Sequence, residues 1–195
     1  MTTPLNLAVI IGSVRDGRFG PTVADWFLAQ VEGPFTVDVI DLADVRLPLN
    51  MPARGGEPSA ETAEVLATLS PRLDAADAFV VITPEYNHSY PASLKNLIDW
   101  HFTQWQAKPV ALVSYGGHSG GRHAVEHLRH VFAELHAVTL RDTISIARYY
   151  EVFGPDGALV DPTELDAAAK ALLTQLEWWA TSLREARQAR PYVPS

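Results

Sequence analysis

The sequence contains no cysteine. That excludes disulfides, thiolate nucleophiles and cysteine-ligated metal, and it fits a reducing compartment such as the cytoplasm. No apolar run approaches the ~18 residues a bilayer-spanning helix needs, so no membrane segment is expected. The opening Met1-Thr2-Thr3-Pro4 has no basic region and leads straight into a strand, so no secretory signal is expected. Basic residues are scarce: 15 Lys and Arg against 23 Asp and Glu give a formal charge of −8. That balance disfavours general nucleic-acid binding. An acidic protein that binds an anion must concentrate its few arginines, which directs attention to Arg15 and Arg18. Internal repeats and low-complexity linkers are also absent.

What is present suits one domain over 1–195 with a large core. Leu5 to Ile11 reads as a central parallel strand, apolar on both faces. The loop Gly12–Gly20, GSVRDGRFG, precedes a helix started at Pro21, with Val23, Trp26, Phe27 and Val31 on one face. Gly33-Pro34 ends it, and Phe35 to Ile40 alternates like a half-exposed edge strand. Asp41 to Ser59 is long and irregular, either a surface excursion near a ligand or subunit contact, or a disordered connector. Ala60 to Ala76 is helical, with a kink or a fresh turn expected at Pro71.

The chain is organised around Thr83 to Trp100, TPEYNHSYPASLKNLIDW. It follows the buried strand Ala78–Ile82, breaks into the polar loop Pro84–Tyr90, and restarts at Pro91 as a helix running to about Trp105. Pro109 to Ser114 is another buried strand, Tyr115 to Gly121 a glycine-rich loop, and Arg122 to His136 a helix. Ala137 to Ile146 holds a fifth strand, and Glu151 to Leu159 a loop with the turn Gly154-Pro155-Asp156-Gly157. A last helix opens with Asp161 capping, Pro162 at the first position and Glu164 closing a capping box. The tail 190–195 is expected to fray. Strands and helices alternate five times, which predicts an α/β, doubly wound, five-stranded parallel sheet of flavodoxin-like order 2-1-3-4-5, with helices on both faces.

Such sheets bind ligands outside the C-terminal strand ends, where the strand order reverses between strands 1 and 3. The rim of that crevice is built from Gly12–Gly20, Pro84–Tyr90 and Tyr115–Gly121. The first loop suits a phosphate: Gly12 turns tightly, Ser13 offers a hydroxyl, Arg15 and Arg18 offer charge, and a helix N-terminus follows. It nearly matches a P-loop but lacks the lysine and the Ser/Thr of that motif.

The string PEYNHSYPASLKNLIDW closely resembles the signature of the NADPH-dependent FMN reductase family, flavodoxin-like enzymes that include quinone, chromate and azo-dye reductases. The family's GSxR motif is matched by Gly12, Ser13, Val14 and Arg15. Many relatives carry small polar residues where this chain has Arg18 and Gly20, so Arg18 either covers the cofactor or faces solvent. The resemblance implies FMN as cofactor and NADPH, or NADH, as co-substrate. It implies a cofactor site of Ser13, Arg15, Arg18, Phe19, Gly20, Pro84, Glu85, Tyr86, Asn87, Ser114, Gly116 and Gly117. Pro84 to Asn87 would run along the flavin ring and ribityl chain, and Gly116 and Gly117 would admit the ring edge. No catalytic side chain is assigned, because the redox chemistry belongs to the flavin. The acceptor would be a small molecule: a quinone, free flavin, azo dye or metal oxyanion. A homodimer or homotetramer is implied, with the Asp41–Ser59 loop and the Arg122–His136 helix as contact candidates.

Alternatives remain in view. A flavodoxin-type carrier would show T-x-T-G-N-T at the phosphate loop, and a receiver module would show paired acids after the first strand; neither is present. His123-Ala124-Val125-Glu126-His127 fits H-x-x-E-H, a zinc-protease pattern. His130 is off the face shared by His123 and His127, so no metal site is expected there.

Overall fold

A computed structural model describes residues 3–193. Leu5–Ile11 (β1), Phe35–Asp41 (β2), Ala78–Pro84 (β3) and Pro109–Gly116 (β4) pair in parallel in the order β2-β1-β3-β4. Gly20–Ala29 (α1) and Thr163–Ala189 (α6) cover one face, and the short helix Tyr149–Val152 (α5) precedes α6 in the chain. Ala60–Ala75 (α2), Ala92–Asp99 (α3) and Arg122–Glu134 (α4) cover the other. The two-sided apolar runs of β1, β3 and β4 are explained by that sandwich. Leu7, Val9 and Ile11 point to α1 and α6, whereas Ala8 and Ile10 point to α2 and α3. The expected flavodoxin-like, doubly wound order 2-1-3-4-5 is observed.

The far edge departs from expectation. The single fifth strand is two short ones, Val138–Thr139 (β5) and Ile144–Ala147 (β6), both parallel to β4, so the sheet has six strands. The chain leaves the ladder because Arg129 on α4 supplies replacement donors. Its guanidinium reaches the carbonyls of Leu140 at 2.6 Å and Arg141 at 2.7 Å. Two carbonyls of the four-residue gap between β5 and β6 are thus satisfied from a side chain.

Other boundaries also moved. The helix after Pro91 stops at Asp99, and Trp105 reaches the core from a separate 3₁₀ turn, Thr103–Trp105. His101 ends it: the ring bonds the Leu97 carbonyl at 2.9 Å, and the His101 carbonyl accepts Trp105 Nε1–H at 2.7 Å. Pro91 is the extended residue before α3 rather than its first helical residue. β3 and β4 run on to Pro84 and Gly116, so Pro84, Ser114 and Gly116 belong to strand ends. α2 continues through Pro71 as one helix. In β2 the exposed face is the one with Val37 and Val39, and the other face buries Ile40.

The Asp41–Ser59 segment is tied to α3. Leu42 is buried, Asn96 donates to the Leu47 carbonyl at 2.8 Å, and Trp100 donates to the Pro48 carbonyl at 3.0 Å. Asp161 accepts from Thr163 N–H at 3.0 Å, but the capping residue of α6 is Pro162 rather than Asp161, and no side-chain cap bond or capping box with Glu164 forms among the described residues. Tyr192 is held by His136 at 2.8 Å; Pro194 and Ser195, also assigned to the fraying tail, lie outside the described residues.

Candidate functional site

The three predicted loops meet at the C-terminal ends of β1, β3 and β4. Ser93 Oγ at the start of α3 donates to the Gly12 carbonyl at 2.7 Å, and Glu85 N–H donates to the Tyr115 carbonyl at 3.1 Å. Arg15 lies over the Tyr86 ring, its guanidinium carbon 5.6 Å from the centroid. A fourth segment joins them: Arg148 N–H donates to the Gly117 carbonyl at 2.8 Å, which brings Tyr149 against Phe19 at 4.6 Å between ring centroids. The sequence reading missed Tyr149. Its signal was the aromatic pair Tyr149-Tyr150 directly after a strand that ends at the same sheet edge.

The first loop presents unpaired polar groups. Its one internal backbone hydrogen bond runs from Arg18 N–H to the Arg15 carbonyl at 3.1 Å, which leaves the neighbouring amides of the turn undonated. Ser13 is fully buried, and its Oγ has no hydrogen-bond partner among the described residues. An enclosed hydroxyl without a partner costs about 1–3 kcal/mol, a cost an anionic acceptor at the turn would remove. Gly20, rather than Pro21, opens α1, and the helix contributes free amides and a positive dipole end. A Cβ on Gly20 would stand 2.3 Å from Ser13 Oγ and 2.9 Å from Ile11 Cγ2. The glycine is needed for this close approach.

The two arginines separate. Arg18 grips Asp41 with both terminal nitrogens, at 2.7 and 2.6 Å, and one of them also reaches the Ser13 carbonyl at 3.1 Å. The Asp41 hydrogen bonds, against an opposing effect of burial, hold the Arg18 guanidinium above its ordinary pKa. Its donors are spent on fastening the loop to the end of β2. Arg15 is exposed and makes no ion pair among the described residues. Phe19 turns inward, into an aromatic group with Tyr149, Tyr115 and Phe153.

The second loop is a tight hairpin. Tyr86 and Ser89 exchange both backbone hydrogen bonds, at 2.8 and 3.1 Å, and Asn87 and His88 between them have φ of 48° and 72°. Two positive φ values in a two-residue turn are the type I′ pattern that matches strand twist. Asn87 is exposed, and its side-chain amide has no partner among the described residues. Glu85 is committed elsewhere: its carboxylate accepts His123 N–H at 3.1 Å and bonds His123 Nδ1 at 3.0 Å. Partial burial works to raise that carboxyl, but the bonds from His123 and Ser119 outweigh it and hold it below the usual range. Burial raises the Tyr86 hydroxyl pKa, with Arg15 opposing.

In the third loop Ser114 faces inward. Its hydroxyl donates to the Gly120 carbonyl at 2.8 Å and braces the turn against β6. Gly121, at φ 87°, has no room for a side chain, because its Cβ would sit 2.5 Å from that of Ser114. Gly117 differs: it is exposed, is not left-handed, and a Cβ there would meet nothing within 4 Å. The protein's own packing does not require a glycine at 117, so the open space in front of it is available to a ligand. Unpaired amides, an orphaned hydroxyl, a free cation on an aromatic ring and an uncovered glycine together fit a mononucleotide with a phosphate tail and a planar ring. The surface is an open shelf. A cavity of about 580 Å³ lies between β2 and α2, around Asp41, Glu61, Glu64 and Arg72.

The model of the NADPH-dependent FMN reductase family matches residues 5–151. An NAD(P)H-dependent FMN reductase of Schizosaccharomyces pombe is 37% identical over 164 residues, covering 80% of this chain and 78% of the relative. A probable NADPH:quinone oxidoreductase of Oryza sativa subsp. japonica is 32% identical over 191 residues, covering 92% and 91%. Among solved structures, the flavoenzyme NAD(P)H:(acceptor) oxidoreductase of Paracoccus denitrificans superposes with a TM-score of 0.68 at 26% identity, covering 93% of this chain and 98% of its own.

Proposed function

The chain belongs to the NADPH-dependent FMN reductase family and is an FMN-dependent NAD(P)H oxidoreductase, and we propose that its acceptors are quinones taken up on the open shelf between Tyr86, Gly117 and Tyr149. The reading rests most heavily on Arg15: a guanidinium with no ion pair, laid on Tyr86 beside undonated amides. In this reading the turn amides and the Ser13 hydroxyl bind the phosphate, and Arg15 neutralises it. Arg18 acts at one remove, holding the turn to Asp41. The Asn87 amide and the hairpin backbone orient the polar edge of the ring system. Gly117 lets the main chain come close to it, whereas Gly116 is buried and its missing side chain makes room for the Gly121 amide, 3.2 Å from where a Cβ would stand. Phe19, Glu85 and Ser114 build the walls with their side chains and offer only backbone groups to the ligand.

The bound flavin supplies the two-electron chemistry that links a nicotinamide to an acceptor, so no acid or base on the chain is assigned to that transfer. The family name supports NADPH as the donor, with NADH the alternative. A shelf whose residues Arg15, Asn87 and Gly117 are exposed supports a homodimer or homotetramer whose partner closes it. The described residues contain no helix long and apolar enough to cross a membrane. The absence of cysteine supports a cytoplasmic location.

The test is direct. Purified protein should carry a flavin absorbance band through gel filtration and oxidise NADPH in the presence of a benzoquinone, with ping-pong kinetics. A flavin-loaded protein that oxidises neither NADPH nor NADH would be an electron carrier. Protein that takes up no added FMN would overturn the assignment of the shelf.

A further inference from the structure

We propose that Glu85, His88 and His123 form a transition-metal site that joins the second loop to the start of α4. Their ligating atoms all lie within 4.8 Å of one another, and no other function described above uses the two imidazoles. Two histidines and a carboxylate make a borderline-soft donor set suited to Zn²⁺, which takes N and O ligands at ~2.0–2.2 Å.

The geometry is already close to what coordination needs. Tetrahedral bonds of that length separate neighbouring ligand atoms by about 3.4 Å. His123 Nδ1 and Glu85 Oε1 are 3.0 Å apart, near that spacing. The carboxylate is held in place from behind, because its second oxygen accepts the His123 backbone N–H at 3.1 Å. Metal sites commonly use such an outer hydrogen bond to fix a ligand's orientation. The His88 ring stacks on that of His123, with 3.5 Å between centroids and a 22° tilt. His88 is exposed and has no hydrogen-bond partner among the described residues, so its side chain can close the set from a spacing of at most 4.8 Å to about 3.4 Å. The exposed side leaves a coordination position for water.

The residue type at 88 supports the same conclusion. Its φ of 72° is one that glycine or asparagine adopts at least cost in a type I′ turn. A histidine there works against the turn's preference by roughly 1 kcal/mol, and its imidazole forms no bond that repays this. Its one conspicuous contact is the second histidine of the cluster. The site is also different from the H-x-x-E-H pair read along the helix. His127 Nδ1 is engaged by Ser89 Oγ at 2.9 Å and takes no part. The ligands come instead from a hairpin and a helix start about 35 residues apart, joined only by the fold. Glu85, His88 and His123 thus connect two of the loops that frame the shelf, and a metal there would fix their spacing.

The experiment titrates Zn²⁺ into the full chain, with its flavin and without a polyhistidine tag, after treatment with chelator and desalting, and reads the heat of binding. The expected result is one Zn²⁺ per chain. His88→Asn, which keeps a left-handed-tolerant residue in the turn, and His123→Gln should each weaken binding about tenfold or more. His127→Gln and His130→Gln should leave it unchanged. Absence of stoichiometric heat, or full-strength binding in either His88→Asn or His123→Gln, overturns the site. So does loss of binding in His127→Gln. Flavin content, read from absorbance in the same samples, reports separately on the shelf and is not needed for the Zn²⁺ result.

Discussion

Arg18 and Asp41 form a two-pronged ion pair, at 2.7 and 2.6 Å, that fastens the first loop to the end of β2, while Arg15 three residues earlier is left free. The two arginines should therefore fail differently. Arg15→Ala should raise the FMN dissociation constant about tenfold or more, since it removes charge from an anion site, and should leave thermal stability nearly unchanged. Arg18→Ala should lower stability by about 1–3 kcal/mol, because it leaves Asp41 half-buried and unpaired, and should weaken FMN less. Denaturant melts and flavin titrations of both variants check this. Equal FMN affinity in Arg15→Ala and the parent would refute the phosphate role of Arg15.

The glycines of the third loop give a second contrast. Gly121→Ala forces a left-handed alanine against Ser114 and should cost about 2–4 kcal/mol. Gly117→Ala meets no protein atom, so its stability should stay within about 0.5 kcal/mol of the parent. Its FMN affinity should nevertheless fall, because the new methyl enters the space reserved for the ring edge. Unchanged affinity in Gly117→Ala would place the ring elsewhere.

Lys108 predicts a pH dependence. Its ammonium donates to the carbonyls of Leu73 at 3.0 Å and Asp74 at 2.7 Å beneath the sheet. Burial, helped by Arg187, pulls its pKa down to about 8. Below pH 8 the group is charged in both folded and unfolded chains, and its cost is constant. As pH rises from about 8 to about 10.4, the unfolded chain holds this proton and the folded chain has lost it. Its contribution to stability therefore climbs with pH in that window and is complete above it. The stability difference between wild type and Lys108→Met should grow by on the order of 2–3 kcal/mol across the window, measured by urea melts at each pH. A difference that does not change with pH contradicts the depressed value.

The break in the last strand depends on Arg129. Arg129→Met removes two charged donors from the Leu140 and Arg141 carbonyls and should cost about 1–3 kcal/mol. Hydrogen exchange should quicken across residues 138–147 and stay near parental values in β1 and β3. Uniform exchange rates throughout the sheet would show that the gap is held by something else.

Much of the architecture was legible in local pattern. The apolar runs of β1, β3 and β4 are buried on both faces, so hydrophobicity alone marks them as central strands. Glycine, proline and polar residues mark the loops, and the strand-order rule then places three of those loops on one edge. The broken last strand and the short α3 were not legible. Both depend on side chains arriving from elsewhere: Arg129 from the preceding helix, and the His101 ring folding back on Leu97. At the candidate site, the sequence put Arg15 and Arg18 in one loop but could not tell which of them Asp41 would take.

The sequence by itself determined the order of strands and helices, the sheet class and the loops at the C-terminal edge of the sheet, because each follows from residues a few positions apart. Tertiary structure alone decided that Asp41 takes Arg18 and spares Arg15, that Ser114 and Glu85 turn inward as braces, and that His88 meets His123. These pairings join segments about 20 to 40 residues apart. Local periodicity carries no information about them until the sheet is assembled and the loops are brought together.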